Sequence, residues 1–183
     1  MSKHSCLKED MVGNTEAKGT FNLNKGDKIY IAVGQMGQND PGDRDAGSGG
    51  GTFVSKGKTR VTASPLAIAG GGSGTPSDAN ANPGSSNELP TGGLSPTNGI
   101  GHGGGDTGGP GGGGWLSDGT DYGNMQSGGH GFKSLNTPLI GGDGDHGDGG
   151  FGGGSGGMDE RGTAGGGYTG GTGRDNSSTT GDG

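Results

Sequence analysis

The sequence predicts a mainly β and irregular fold with almost no α-helix: a small antiparallel sheet followed by a bundle of polyglycine-II helices. Three observations carry this. Glycine supplies 54 of the 183 residues. The β-branched and aromatic runs gather between residues 19 and 69. The glycines gather later, 34 of them in the 75 residues from Gly99 to Gly173. An interior glycine costs a helix roughly 1 kcal/mol relative to alanine, so no helix of ordinary length fits the second half.

Residues 1–18 are polar and unpatterned, and read as a mobile N-terminal segment. Thr20-Phe21-Asn22-Leu23 alternates polar and apolar and predicts a short strand. Asn24-Lys25-Gly26-Asp27 has turn chemistry, since Asn and Asp bond their own backbone and glycine permits positive φ. Lys28 to Val33 is a strand ending at Gly34, with Ile29, Ile31 and Val33 on one face. Together these predict a hairpin. Thr52 to Lys56 predicts another strand, Lys56-Gly57-Lys58 a turn and Thr59 to Thr62 a return strand. Pro65 to Ala69 is a third apolar run, with proline tolerated at its start. The domain is thus expected over 19–173, strands over 19–69 and glycine segments over 70–173, with a polar tail at 174–183.

For the glycine clusters two readings stand. One is a flexible, low-complexity linker. The other is a bundle of polyglycine-II helices. Polyproline-II geometry repeats every three residues and makes no internal hydrogen bonds, so its N–H and C=O groups point sideways. Without side chains, neighbouring helices approach closely enough to bond one another, at about 1 kcal/mol net per bond. Single aromatics punctuate the runs: Trp115 after Gly114, Phe151 between Gly150 and Gly152, Tyr168 after Gly167. They read as caps over the ends of a glycine layer.

Composition also excludes. Leu, Ile, Val and Phe make up only about 11% of the chain, too little for a large oily core. There is no Gly-X-Y period, which excludes collagen. No run of eighteen apolar residues exists. The net charge of −7 argues against a nucleic-acid partner. The one cysteine, Cys6, permits no intrachain disulfide.

Gly99-Ile100-Gly101-His102-Gly103-Gly104 satisfies a dinucleotide fingerprint, but no strand precedes it and no helix follows. Gly153-Gly154-Ser155-Gly156-Gly157 satisfies a nucleophile-elbow pattern that chance supplies in so glycine-rich a tract. Asp143-Gly144-Asp145-His146-Gly147-Asp148 is the most interesting polar cluster. Asp143, Asp145 and Asp148 are weak candidates for calcium; a solvated acidic loop is the stronger reading. His102, His130 and His146 are far apart, with no cysteine nearby for zinc. No nucleophile, base and acid can be grouped, so we expect no catalysis and no cofactor.

Several blocks then carry a resemblance. Phe21-Asn22-Leu23 followed by Gly26 through Gly37, with its Tyr30-Ile31-Ala32-Val33-Gly34-Gln35 strand, opens the series. Gly49-Gly50-Gly51-Thr52-Phe53-Val54 and Pro65 through Gly72 follow. Gly111–Gly114-Trp115, Gly149 through Gly154 around Phe151, and Gly165-Gly166-Gly167-Tyr168 complete it. In this order they resemble the glycine-rich extracellular region of the anaplastic lymphoma kinase and leukocyte tyrosine kinase receptor family. The resemblance covers roughly residues 19–173. It implies structural roles for Tyr30, Gly34, Phe53, Trp115, Phe151 and Tyr168. It also implies an extracellular or cell-surface module whose parent receptor binds a small secreted protein ligand and signals through an intracellular kinase. The family's cysteines are replaced here, with Met158 and Gly131 at two such places. The N-terminus lacks a secretory apolar region, and the chain stops before the final strand of the family. Both features point to an incomplete chain, with a membrane reached only through a missing parent segment. The alternative is a phage or microbial adhesin-like tip that recognises a cell-surface receptor. In either case specificity falls to the loops at 75–98, 115–127 and 132–140. An antifreeze or structural glycine-rich protein fits less well, because the spacers between glycine runs are irregular.

Overall fold

The computed structural model describes residues 15–39, 46–74, 99–123, 126–135, 138–158 and 161–174. Among them there is no helix, and the fold is mainly β and irregular. Strands β1 (Ile29–Ala32), β2 (Thr52–Lys56) and β3 (Ser64–Ala69) form one antiparallel sheet in the order β1-β2-β3. Ile31 faces Val54 across the first pair, and Phe53 faces Ile68 across the second. A register shift between Val54 and Ser55 bends the second pair. A short parallel pair joins β4 (Asp106–Thr107) to β5 (Gly173–Arg174).

Two expected strands are absent. Residues 20–23 join no sheet among the described residues, and Phe21 and Leu23 stay exposed. The partner of β1 is instead β2, which brings the fully buried Phe53 to the inner face. Burial of that face outweighs the short local hairpin. The expected turn does form: the Asp27 amide donates to Asn24 O at 3.0 Å, the Asn24 amide to Asp27 Oδ2 at 2.8 Å, and Gly26 takes φ +96. Residues 59–62 form a turn, not a return strand. The Thr59 and Thr62 hydroxyls lie 2.8 Å apart, each within reach of the other's backbone amide. These local bonds compete with a strand ladder.

Ile29, Ile31 and Val33 share a face, as their spacing predicts, but it is the outer one. The inner face presents Tyr30, Ala32, Phe53 and Ile68 to the apolar cluster of Phe53, Ala63, Trp115, Phe132 and Leu139. That cluster is small, and most of the buried interior is backbone.

Beyond the sheet, the chain runs through glycine segments that bond sideways. Segment 110–114 is the clearest. The amides of Gly111, Gly112, Gly113 and Gly114 donate to Thr120, Gly171, Gly153 and Ser117. The carbonyls of the same four residues accept from Gly129, Gly104, Gly167 and Phe132. Gly111 and Gly114, three residues apart, therefore use the same two neighbouring segments, while Gly112 and Gly113 use four others. One segment is tied to six. Segment 152–157 behaves alike: Gly154 and Gly157 both donate to residues 147–150, and Gly152 and Ser155 both accept from residues 48–51. The lattice requires close approach. A Cβ on Gly104 would fall well inside 3.0 Å of Gly171 O, and one on Gly112 equally close to Gly165 O.

Two hydroxyls are built into this lattice. Ser48 Oγ donates to Ala164 O at 2.6 Å and accepts from the Ser155 amide at 2.7 Å. Ser155 Oγ accepts from the Ala164 amide at 2.8 Å. Both serines are fully buried, so they stitch three segments together where bare glycine would leave a gap.

Candidate functional site

Trp115, Phe132 and Tyr168 each end a glycine segment, and they meet at the end of the lattice that abuts the sheet. The Trp115 and Phe132 rings stack at 4.3 Å and 12°, and Phe53 packs against both, at 6.4 and 5.4 Å. Cations flank the stack. Lys133 Nζ lies 5.1 Å from the Trp115 ring centroid and the Arg60 guanidinium 6.0 Å from that of Phe132. Arg60 also donates to the carbonyls of Phe132 and Ser134, tying the β2–β3 turn to the loop after Phe132.

Loops 99–102, 115–118 and 132–135 surround this stack. Asp118 holds two of them in place. Its Oδ1 accepts from the Gly131 amide at 2.7 Å, and its Oδ2 lies 3.3 Å from Ser134 Oγ and 3.4 Å from His130 Nδ1. Ser117 Oγ accepts from the Gly103 amide at 3.1 Å and lies 3.2 Å from His102 Nδ1. Leu116 donates its amide to Gly101 O. The rim carries exposed apolar side chains: Ile100, Leu116, Leu135 and Ile140. The backbone beneath these loops is held by lateral hydrogen bonds, and the rim they carry is apolar.

The residues singled out from sequence fall into three places. Phe53, Trp115 and Tyr168 meet in the cluster, with Tyr30 packed against it and its hydroxyl donating to Lys58 O at 3.1 Å. Gly34 sits in the lattice, where a Cβ would meet Gly50 O, and its amide donates to Thr52 Oγ1 at 3.0 Å. Phe151 stands apart and is 37% exposed. Its role is carried by the backbone, since its carbonyl accepts from the Gln35 amide at 2.7 Å. The ring lies outside the apolar cluster, although Gly152 and Gly153 beside it are buried and donate to Leu139 O.

The acidic loop does not converge. Asp145 Oδ2 accepts from Gln126 Nε2 at 2.8 Å, Asp148 Oδ1 from the Gly144 amide at 3.3 Å, and the Asp143 side chain is exposed. Among the described residues no three His, Cys, Asp or Glu side chains come together to hold a metal. The loop at 75–98 lies outside the described residues.

Phe132 was legible in principle. It follows Gly128-Gly129-His130-Gly131, the same run-then-aromatic signal as Trp115. Arg60, Ser48 and Ser155 had no such signal, because their partners lie 72, 107 and 107 residues away. Neither the protein-family models nor the curated proteins provide a match to this chain. No helix among the described residues is long and apolar enough to cross a membrane.

Proposed function

We propose that the chain is a non-catalytic binding module in which a bundle of polyglycine-II helices holds recognition loops in place. The observation that carries this is the lateral bonding of residues 110–114. A threefold helix repeats its side-pointing groups every three residues, and Gly111 and Gly114 repeat theirs on the same two neighbours. By its resemblance to the anaplastic lymphoma kinase and leukocyte tyrosine kinase receptors, the module belongs to a cell-surface parent that binds a small secreted protein. The kinase of that parent would lie outside this sequence. The apolar rim of Ile100, Leu116 and Leu135 around the Trp115 stack favours a protein ligand.

The test is surface plasmon resonance with the immobilised chain against small secreted cytokines of the type these receptors bind. Binding at micromolar or lower Kd, lost in Leu116→Asp and Leu135→Asp but kept in Phe21→Asp, supports the reading. The adhesin reading rests on the same loops grafted between glycine segments. It wins if no secreted protein binds but intact cells do, with the same two variants abolishing cell binding.

A further inference from the structure

We infer that the outer edge of β1 is a docking site for an extended acidic segment of a partner protein. This rests on the reading of the chain as a binding module and is independent of its family. Lys28 O accepts from the Gly57 amide, which fixes Lys28, Tyr30 and Ala32 as the residues bonded to β2. The N–H and C=O groups of Ile29, Ile31 and Val33 therefore point away from the sheet. No hydrogen bond beyond the sheet engages them among the described residues. The next outward residue, Gln35, is already bonded to Phe151 O, where segment 147–151 takes over the edge. The open stretch is thus bounded at one end by the lattice itself.

Proteins normally blunt such an edge with proline, charge or a bulge. β3, the opposite edge, carries Pro65 and faces the register shift at Val54/Ser55. Residues 29–33 carry none of these; Ile31 and Val33 are 68% and 65% exposed. An added strand would gain backbone hydrogen bonds along the edge and lay alternate apolar side chains beside Ile31 and Val33. Charge specifies the rest. Although the chain is acidic overall, Lys25, Lys28 and Lys58 are exposed in the two turns at the other end of this edge. The carboxylate in the first of these turns, Asp27, is taken by Lys56 at 3.2 Å. Carboxylates on the partner complement that end.

The test uses two fluorescent nine-residue peptides, one alternating valine with glutamate and one alternating valine with lysine. Anisotropy should show the glutamate peptide binding at least tenfold more tightly. In amide NMR its addition should slow exchange of the Ile31 amide at least tenfold. Ile31→Pro, which removes an edge N–H together with the exposed Ile31 side chain, and Lys28→Glu should each weaken binding at least tenfold, with Trp115 emission unchanged. Val33→Glu should do the same if the proline variant misfolds. Equal binding of both peptides, or undiminished binding by the Ile31→Pro or Val33→Glu variants, overturns the proposal. So does an Ile31 amide already protected in the free protein, with light scattering then separating a dimer from the chain's own cover. Binding to phosphatidylserine vesicles without peptide binding also overturns it. Unprotected Gly111–Gly114 amides would sink the bundle reading instead, so the two failures are distinguishable.

Discussion

The indole of Trp115 lies nearly parallel to the ring of Phe132, 4.3 Å away, although sixteen residues of loop and glycine separate them in the chain. Each ring sits where a glycine segment ends, and together they fill the space between lattice and sheet. Truncating a buried aromatic costs about 3–5 kcal/mol. Trp115→Ala and Phe132→Ala should each lose that much in urea unfolding. Phe151→Ala, outside the cluster, should lose under about 1 kcal/mol. Equal losses at all three would contradict the geometry.

Glycines in this protein are not equivalent. Gly112→Ala drives a Cβ into the carbonyl of Gly165 and should destabilise by about 3 kcal/mol or more. Gly49→Ala meets nothing nearer than 3.4 Å. It should be neutral, or stabilising by up to about 1 kcal/mol, through lost freedom of the unfolded chain. Thermal melts of the two variants side by side decide this.

Ser48 satisfies two backbone groups with one hydroxyl. Ser48→Ala removes the 2.6 Å bond to Ala164 O and the 2.7 Å bond from the Ser155 amide in a buried site, while the Ser155 amide keeps its 3.1 Å bond to Ala164 O. Losing a hydrogen bond whose backbone partners keep another one costs about 0.5–1.5 kcal/mol. Chemical denaturation should show that loss, and exchange at the Ser155 and Ala164 amides should rise.

The Asp27 carboxylate is held below its ordinary value of 3.8, first by the Asn24 backbone amide and then by Lys56. A depressed carboxylate stabilises the folded state above its unfolded pKa and loses that contribution as pH falls through its folded pKa. Asp27→Asn should therefore melt earlier than the parent at pH 6. The gap should begin to narrow as the pH reaches 3.8 and close only below the lower, folded pKa. A gap that persists at low pH would assign the effect to the turn backbone.

The amide exchange of residues 111–114 and 152–157 carries the architecture. These amides should be protected to near the global unfolding free energy. Gly26 and Gly123, both at positive φ with open space around them, should exchange fast.

Much of the sheet was legible in sequence because β-branched runs announce themselves. Lys28 to Val33 contains β1, Thr52 to Lys56 coincides with β2, and Pro65 to Ala69 covers β3 except for its first residue, Ser64. The pairing was less legible. The local hairpin of Thr20–Leu23 with β1 loses to β2 because only β2 brings Phe53 under the aromatic stack. The outward direction of Ile31 and Val33 was also hidden, since alternation shows that they share a face but not which face meets the core. At the candidate site, Trp115 and Tyr168 stood out because each follows a glycine run. Phe151 carried the same signature and lies outside the apolar cluster.

What the sequence by itself determined is the material: too few oily side chains for an ordinary core, and glycine placed where chains can touch. That follows from composition, because steric permission is a property of the residue. Only the tertiary structure decided which segment lies beside which. Lateral backbone bonds carry no sequence label, so any bare amide can meet any bare carbonyl. The register is chosen by the few side chains, Ser48, Arg60, Trp115 and Phe132 among them, that fit in one place.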